Sequence, residues 1–305
     1  MLFTNIRKFL TFVFVRTVVE VSSLIIGGMP EKRLYPFAKG MGYFLSLVFF
    51  KHKQTAFKGL KSAFGEEKTL LERRRIVNDC FVSMAKSIAE LMYCIRRPAF
   101  TRKKFRITNP EVLDKALEQK KGVILVSAHF GNFPMILARL SLEGYKTSVI
   151  MRPLKEGRVE EIFEAERARL DIETIYTIPR KTCVEGAIKN LRENRLLFIP
   201  LDQNFGTGGV YVDFFGRKAA TATGPAVLAR RTGAIILPCF VIRQKDNNHD
   251  IIFEPALNLE KGRDSQEAMA LTIQKLTRII EVYIRRYPEQ WSWIHRRWKS
   301  RPRDV

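Results

Sequence analysis

From Lys121 onward, two apolar patterns alternate along the chain. The first is the short continuous run. "GVILVSA" (Gly122–Ala128) is of this kind, and "KTSVIM" (Lys146–Met151), "IETIYTI" (Ile172–Ile178), "RLLFIPLD" (Arg195–Asp202), "AIILPCFVIR" (Ala234–Arg243) and "HDIIFEPAL" (His249–Leu257) read as further strands. Runs without a polar alternation suit strands covered on both faces. The second pattern spaces apolar positions three and four apart, as a helix with one buried stripe requires. It predicts helices over Met135–Leu142, closed by Gly144, and over Glu156–Leu170, Thr182–Asn194, Thr223–Thr232 and Gln266–Arg286. Glu66–Cys94 reads as two helical stretches, and Gly208–Phe215 as a loop with one short strand. Strands alternating with helices predict an α/β fold with a mostly parallel central sheet flanked by helices. Ligands of such sheets bind beyond the carboxyl ends of the strands. His129 and Asp202 each sit just beyond one.

The N-terminus follows a different pattern. Phe9–Ile26 is a largely apolar stretch of 18 residues whose charges are Arg16 and Glu20. As a helix it is roughly 27 Å long, against a hydrocarbon core of about 30 Å. Arg16 and Glu20 stand one helical turn apart and can pair on one face. The charges and the lack of a small-residue cleavage site disfavour a signal peptide. The expectation is a membrane-bound helix, deeply embedded or lying at the interface, with Arg7 and Lys8 among the headgroups. The competing reading is an apolar helix packed on the domain. A second apolar segment, Phe37–Phe50, is too short to span and is followed by Lys51, Lys53, Lys58 and Lys61, which favours a cytoplasmic membrane face. The expected organisation is membrane-anchoring helices over residues 1–50 and an α/β domain over 51–305.

Composition suffices for one large domain, or for a domain plus an anchor: 305 residues, 46% hydrophobic, no low-complexity tract and no repeat. The charge changes the picture more. Fifty-three Lys and Arg against 31 Asp and Glu give a net +22. A field of that size attracts polyanions: nucleic acid, an anionic membrane surface or an acidic carrier protein. No nucleic-acid motif is present, and a hydrophobic N-terminus argues against that class. Cys80, Cys94, Cys183 and Cys239 are far apart with no CxxC, which points to a reducing compartment rather than a disulfide framework or zinc site. Cys239 reads as a buried small hydrophobe. "NFGTGGVYVDFFG" has neither P-loop nor dinucleotide glycine spacing.

Four histidines are available for chemistry: His52, His129, His249 and His295. His249 lies in the polar turn "DNNHD" and is expected to be exposed. His295 lies in the Trp-rich tail, where Trp291, Trp293 and Trp298 beside Arg296, Arg297 and Lys299 suit either an interfacial surface or local packing. His129 alone has a strand before it and a helix after it. Arg152 follows a strand and has the planar fork that suits an anionic headgroup or carrier phosphate.

The stretches "SAHFGNF" (Ser127–Phe133), "MRP" (Met151–Pro153), "IPLDQNFGTGGVYVDFFG" (Ile199–Gly216), "TATGPAVLARRTGAIILP" (Thr221–Pro238) and "YPEQWSWIHRRWK" (Tyr287–Lys299) occur in that order. Together they resemble the lipid A late acyltransferases, within the wider glycerolipid acyltransferase superfamily, over almost the whole chain. The resemblance implies a membrane-associated O-acyltransferase at the cytoplasmic face of a bacterial inner membrane. It would move a fatty acyl chain from acyl-carrier protein, or acyl-CoA, to a hydroxyl of a lipid A precursor. It implies no cofactor and no metal. In that family an H-x4-D/E motif does the chemistry: the His deprotonates the hydroxyl and the acid orients the imidazole. Here the acid position holds Pro134.

Three readings of that departure stand. Another carboxylate orients His129, with Asp202 the first candidate and Asp213 and Glu185 behind it. Alternatively a backbone carbonyl orients the ring. In the third reading the protein is a non-catalytic lipid binder. Acylation of a lysophospholipid or another glycolipid is the competing enzymatic reading. The expected site is His129 and Asp202 as the catalytic pair, with Asn132, Arg152, Gln203, Gly208, Gly209 and Arg230 binding substrate.

Overall fold

The computed structural model describes residues 17, 20–95, 97–153, 157–262, 265–300 and 302. Its centre is a seven-stranded sheet in the order β1-β9-β8-β2-β5-β3-β4. Five strands run parallel: β2 (Val123–Ser127), β3 (Thr147–Met151), β4 (Ile172–Tyr176), β5 (Leu196–Pro200) and β8 (Ile235–Arg243). β9 (His249–Phe253) turns back antiparallel on β8, and β1 (Phe105–Ile107) pairs parallel with β9 at the edge. The mostly parallel sheet expected from the apolar runs is present, with two reversed strands at one side.

The central strand β2 shows why its run is continuous. Ile124 and Val126 enter one core and Val123 and Leu125 the other, so neither face meets water. Each such side chain contributes about 1.5–3 kcal/mol by leaving solvent. The covering helices include α7 (Pro134–Leu142), α9 (Arg180–Arg192), α10 (Gly224–Thr232) and α11 (Ser265–Arg286). A separate antiparallel hairpin, β6 (Val210–Phe214) with β7 (Arg217–Thr221), packs on α11. Its turn places both Phe215 and Gly216 at positive φ. That geometry matches strand twist but strains a residue with a side chain. Phe215 is held there because its ring is buried between Phe64, Trp293 and Trp298.

Where two helical stretches were expected, α4 (Leu70–Ile95) is one helix of 26 residues. Neither Gly nor Pro interrupts it, so nothing forces a break. Before it lie α1, described over residues 20–28, α2 (Glu31–Val48) and α3 (Phe50–Phe64). α2 lies along α4 through Leu34, Ala38, Gly42 and Ser46, one per turn. A Cβ on Gly42 would stand 2.5 Å from the Val82 Cα, so only glycine allows this approach. Glu31 ties the start of α2 to Lys103 and Lys104 of α5 (Pro98–Lys104), both at 2.9 Å.

The other side of α1 and α2 is open. Leu24, Ile25, Phe44, Leu47, Val48, Phe49 and Phe50 are all exposed. Among the described residues no helix is long and apolar enough to cross a membrane. Most of the Phe9–Ile26 segment, including Arg16, lies outside the described residues, as do Arg7 and Lys8.

Candidate active site

Strand register brings the two candidate catalytic residues together. β2 and β5 are parallel neighbours, with Ser127 opposite Pro200. His129 and Asp202 each follow two residues later, so both leave the sheet over the same edge. His129 Nδ1 stands 2.8 Å from Asp202 Oδ1. The His129 backbone N–H donates to Oδ2 at 2.9 Å, and Trp291 Nε1–H donates to the same oxygen at 2.7 Å. Burial pushes the Asp202 carboxyl upward, but the His129 charge and these hydrogen bonds outweigh it and hold the pKa at about 2. Burial depresses His129, yet the Asp202 charge and hydrogen bond leave its pKa above the ordinary imidazole value. The carboxylate is buried, whereas the His129 side chain is 20% exposed. The geometry is that of a His-acid pair with Nε2 directed away from the acid.

Gln203 and the C-terminal tail close the outer side. Gln203 Nε2 lies 3.1 Å from His129 Nε2 and 3.3 Å from His295 Nε2. Arg297 is fully buried and donates to the backbone carbonyls of Gln203 and Ala220, at 3.2 and 2.6 Å, and to Thr221 Oγ1 at 2.5 Å. Burial pulls its pKa down to about 10. Trp291 and Trp293 are also buried, and Trp298 stacks on Phe214. The interfacial reading of these tryptophans therefore gives way to the packing one. Neither periodicity nor strand-end position marks Trp291, His295 and Arg297; their one signal is the tail motif "PEQWSWIHRRWK" itself.

The turn after His129 is fixed from two sides. Gly131 takes φ +56°, and a Cβ there would stand 2.2 Å from the Val241 carbonyl oxygen. The Gly131 N–H donates to the Gln290 carbonyl at 2.8 Å, and the Ser292 N–H to the His129 carbonyl at 3.0 Å. Asn132, expected to bind substrate, is buried and donates to Glu90 Oε2 at 2.8 Å and to the Ser87 carbonyl. Glu90 is the hub of a buried cluster: it pairs with Arg243 and meets His249 Nε2 at 3.0 Å. Burial raises the Glu90 pKa, but the Arg243 and His249 charges overcome this and bring it to about 2. His249 is thus not exposed as its polar turn suggested; it is fully buried and stacked on Phe105. Burial lowers its pKa. Pro134 opens α7, a position with no helical hydrogen bond to lose. The carboxylate that meets His129 comes from the end of β5 and not from α7.

Arg152 follows β3 at the same edge of the sheet and is exposed. Gly208 ends a 3-10 turn (Gly206–Gly208) and is exposed. A Cβ on Gly209 would stand 2.2 Å from the Thr221 carbonyl oxygen, so this glycine serves chain packing. Arg230 is not brought to the site. It lies near the end of α10, which returns the chain to the start of β8, where Ile235 pairs with Val123 at the opposite edge. The weaker acid candidates also lie apart: Asp213 pairs with Lys218 at 3.1 Å and Glu185 with Lys181 at 4.0 Å. Among the described residues no three His, Cys, Asp or Glu side chains gather to hold a metal.

Residues 6–300 match the family described as bacterial lipid A biosynthesis acyltransferase. The lipid A biosynthesis lauroyltransferase of Escherichia coli (strain K12) is 28% identical over 286 residues, 91% of this chain and 89% of its own. The lipid A biosynthesis palmitoleoyltransferase of the same organism is 26% identical over 263 residues, 83% and 81% of the two chains. A phosphatidylinositol mannoside acyltransferase of Mycolicibacterium smegmatis is 27% identical over 184 residues, 60% and 59%. The chain belongs to the bacterial lipid A biosynthesis acyltransferase family and is an acyltransferase.

Proposed function

We propose that the protein transfers a fatty acyl chain from the thioester of acyl-carrier protein to a hydroxyl of a lipid A precursor, with His129 as general base and Asp202 as the acid that orients it. The observation that carries this reading is the 2.8 Å contact between His129 Nδ1 and a buried, ionised Asp202. Asp202 keeps the proton on Nδ1 and the lone pair on Nε2. Nε2 takes the proton of the acceptor hydroxyl as its oxygen bonds to the thioester carbonyl carbon. The carbonyl electrons move to oxygen and return as the carbon–sulfur bond breaks. The leaving thiolate then takes the proton from His129. Asp202 stabilises the transient imidazolium without accepting its proton. Arg152, exposed at the same edge, meets a phosphate of the acceptor or of the carrier.

Residues 1–50 supply the membrane contact in this reading. The open apolar face of α1 and α2 is bordered by Lys32, Arg33, Lys39 and Lys51, all exposed. Such a face suits the anionic leaflet in which the acceptor resides. A second reading, another glycolipid as acceptor, is favoured by the similarity to the mycobacterial-type mannoside acyltransferase.

The test is acyl transfer by purified protein in detergent, with acyl-carrier protein thioesters as donors and Kdo2-lipid IVA as acceptor. Wild type transfers and His129→Ala does not. Wild-type transfer only to other glycolipids or lysophospholipids would establish the second reading. No transfer to any acceptor would overturn both.

A further inference from the structure

The direction of every hydrogen bond from Asp202 outward can be assigned link by link. Asp202 is ionised and has no proton to give. His129 Nδ1 must therefore carry the proton, and neutral His129 has a bare lone pair at Nε2. The atom 3.1 Å from that lone pair is the Gln203 side-chain nitrogen, which donates. An amide nitrogen has two hydrogens, and the second is directed at His295 Nε2, 3.3 Å away. His295 must then also present a bare Nε2 and keep its proton on Nδ1. The opposite amide orientation would aim the Gln203 oxygen at a lone pair. The two imidazoles stand edge to face, 5.3 Å apart. The Gln203 backbone is pinned from behind by Arg297, while Gln203 itself is exposed.

We infer that Gln203 is the donor that receives the oxygen of the acceptor hydroxyl, and that His295 is a positioning residue that holds the Gln203 amide toward His129. The inference rests on the acyl-transfer reading above. A hydroxyl reaching His129 must take the place of the amide hydrogen at Nε2. Gln203 keeps its bond to His295, so the displaced N–H stays beside Nε2 and points at the arriving oxygen. That oxygen then has three uses for its hydroxyl hydrogen and lone pairs: the hydrogen goes to Nε2, one lone pair accepts from Gln203, and the other faces the thioester carbon. Two fixed contacts on one oxygen orient it for attack. His295 touches neither the hydroxyl nor the thioester and acts only through the amide.

Long-range proton–nitrogen spectra of the full chain in detergent, labelled with 15N-histidine, read the two tautomers directly. Both His129 and His295 are expected as the Nδ1–H form when neutral, and Gln203→Ala is expected to shift the Nε2 resonance of both rings. In the transfer assay, His295→Leu is expected to lower kcat/KM for the acceptor roughly ten- to a hundred-fold, with the donor KM unchanged within about two-fold. His295→Gln places an acceptor oxygen near the former Nε2 and is expected to recover most of that loss. A neutral His295 protonated at Nε2 overturns the inference, as does equal loss in the Leu and Gln variants. Inactivity of wild type toward every acceptor overturns the acyl-transfer reading instead, and the spectra separate that outcome from the first two.

Discussion

The imidazole of His129 gains its basicity from a partner 73 positions away in sequence. Asp202 is held ionised, so removing its charge has a defined sign. Without the carboxylate, the imidazolium loses its stabilisation and the His129 pKa falls. In the proposed mechanism the base is neutral His129, so the acid limb of kcat/KM moves to lower pH in Asp202→Asn. The same substitution offers an amide hydrogen where Nδ1–H must donate, which favours the wrong tautomer and lowers kcat by roughly 10²- to 10⁴-fold. A pH–rate profile of wild type and Asp202→Asn checks both effects. An acid limb left in place would show that the carboxylate does not set the His129 charge.

Elements as well as residues are joined by buried charge. Glu90 of α4 links β8 through Arg243, β9 through His249 and the turn after His129 through Asn132. Glu90→Gln leaves the buried Arg243 without a counter-charge and is expected to destabilise the protein by about 3–5 kcal/mol in urea titrations at pH 7. The pH dependence follows from the lowered pKa of about 2 against the ordinary 4.5. A depressed carboxylate contributes stability that is complete above about pH 4.5 and is lost as the pH falls toward 2. Asp202, with a pKa of about 2 against 3.8, acts in the same direction. Wild-type stability should therefore fall steeply below pH 4.5, and Glu90→Gln should make that fall shallower. None of this was legible beforehand. A Glu in an amphipathic stretch and a His in "DNNHD" both resemble surface residues, because burial of a charge is decided by partners distant in sequence.

For the whole molecule, the consequence lies in how charge and apolar surface are distributed around the site. His52 lies near the start of α3, the helix whose Phe64 packs on Trp293, two residues before His295. The exposed apolar run Leu47–Phe50 ends just before His52, with Leu47 72% and Phe50 61% exposed. The candidate site thus lies on the side of the domain that carries the face proposed to meet the membrane. Replacing Leu47 and Phe50 together by Glu is expected to lower partition onto anionic vesicles by more than about ten-fold in a flotation assay. The melting temperature should stay within a few degrees of wild type, since both side chains are already in solvent. The net charge of +22 adds a second term, so binding should weaken as salt rises.

Local pattern was enough for the fold class and for most strands, because a strand buried on both faces must be apolar throughout and a covering helix must repeat every three to four residues. It was also enough to mark His129 and Asp202 as strand-end residues. Register could not be read that way. Whether β2 and β5 are neighbours, and whether Ser127 stands opposite Pro200, depends on packing across the sheet, and one residue of slip would turn the Asp202 side chain to the other face. The tail illustrates the same limit. "WSWIHRRWK" has the composition of a membrane-facing surface, yet it folds inward. Trp291 and Arg297 find acceptors on Asp202, Gln203 and Ala220 that their own segment does not supply. Periodicity reports which positions avoid water, because that property is local. Which buried polar groups satisfy one another is settled only when the elements meet, because each donor needs an acceptor from elsewhere in the chain.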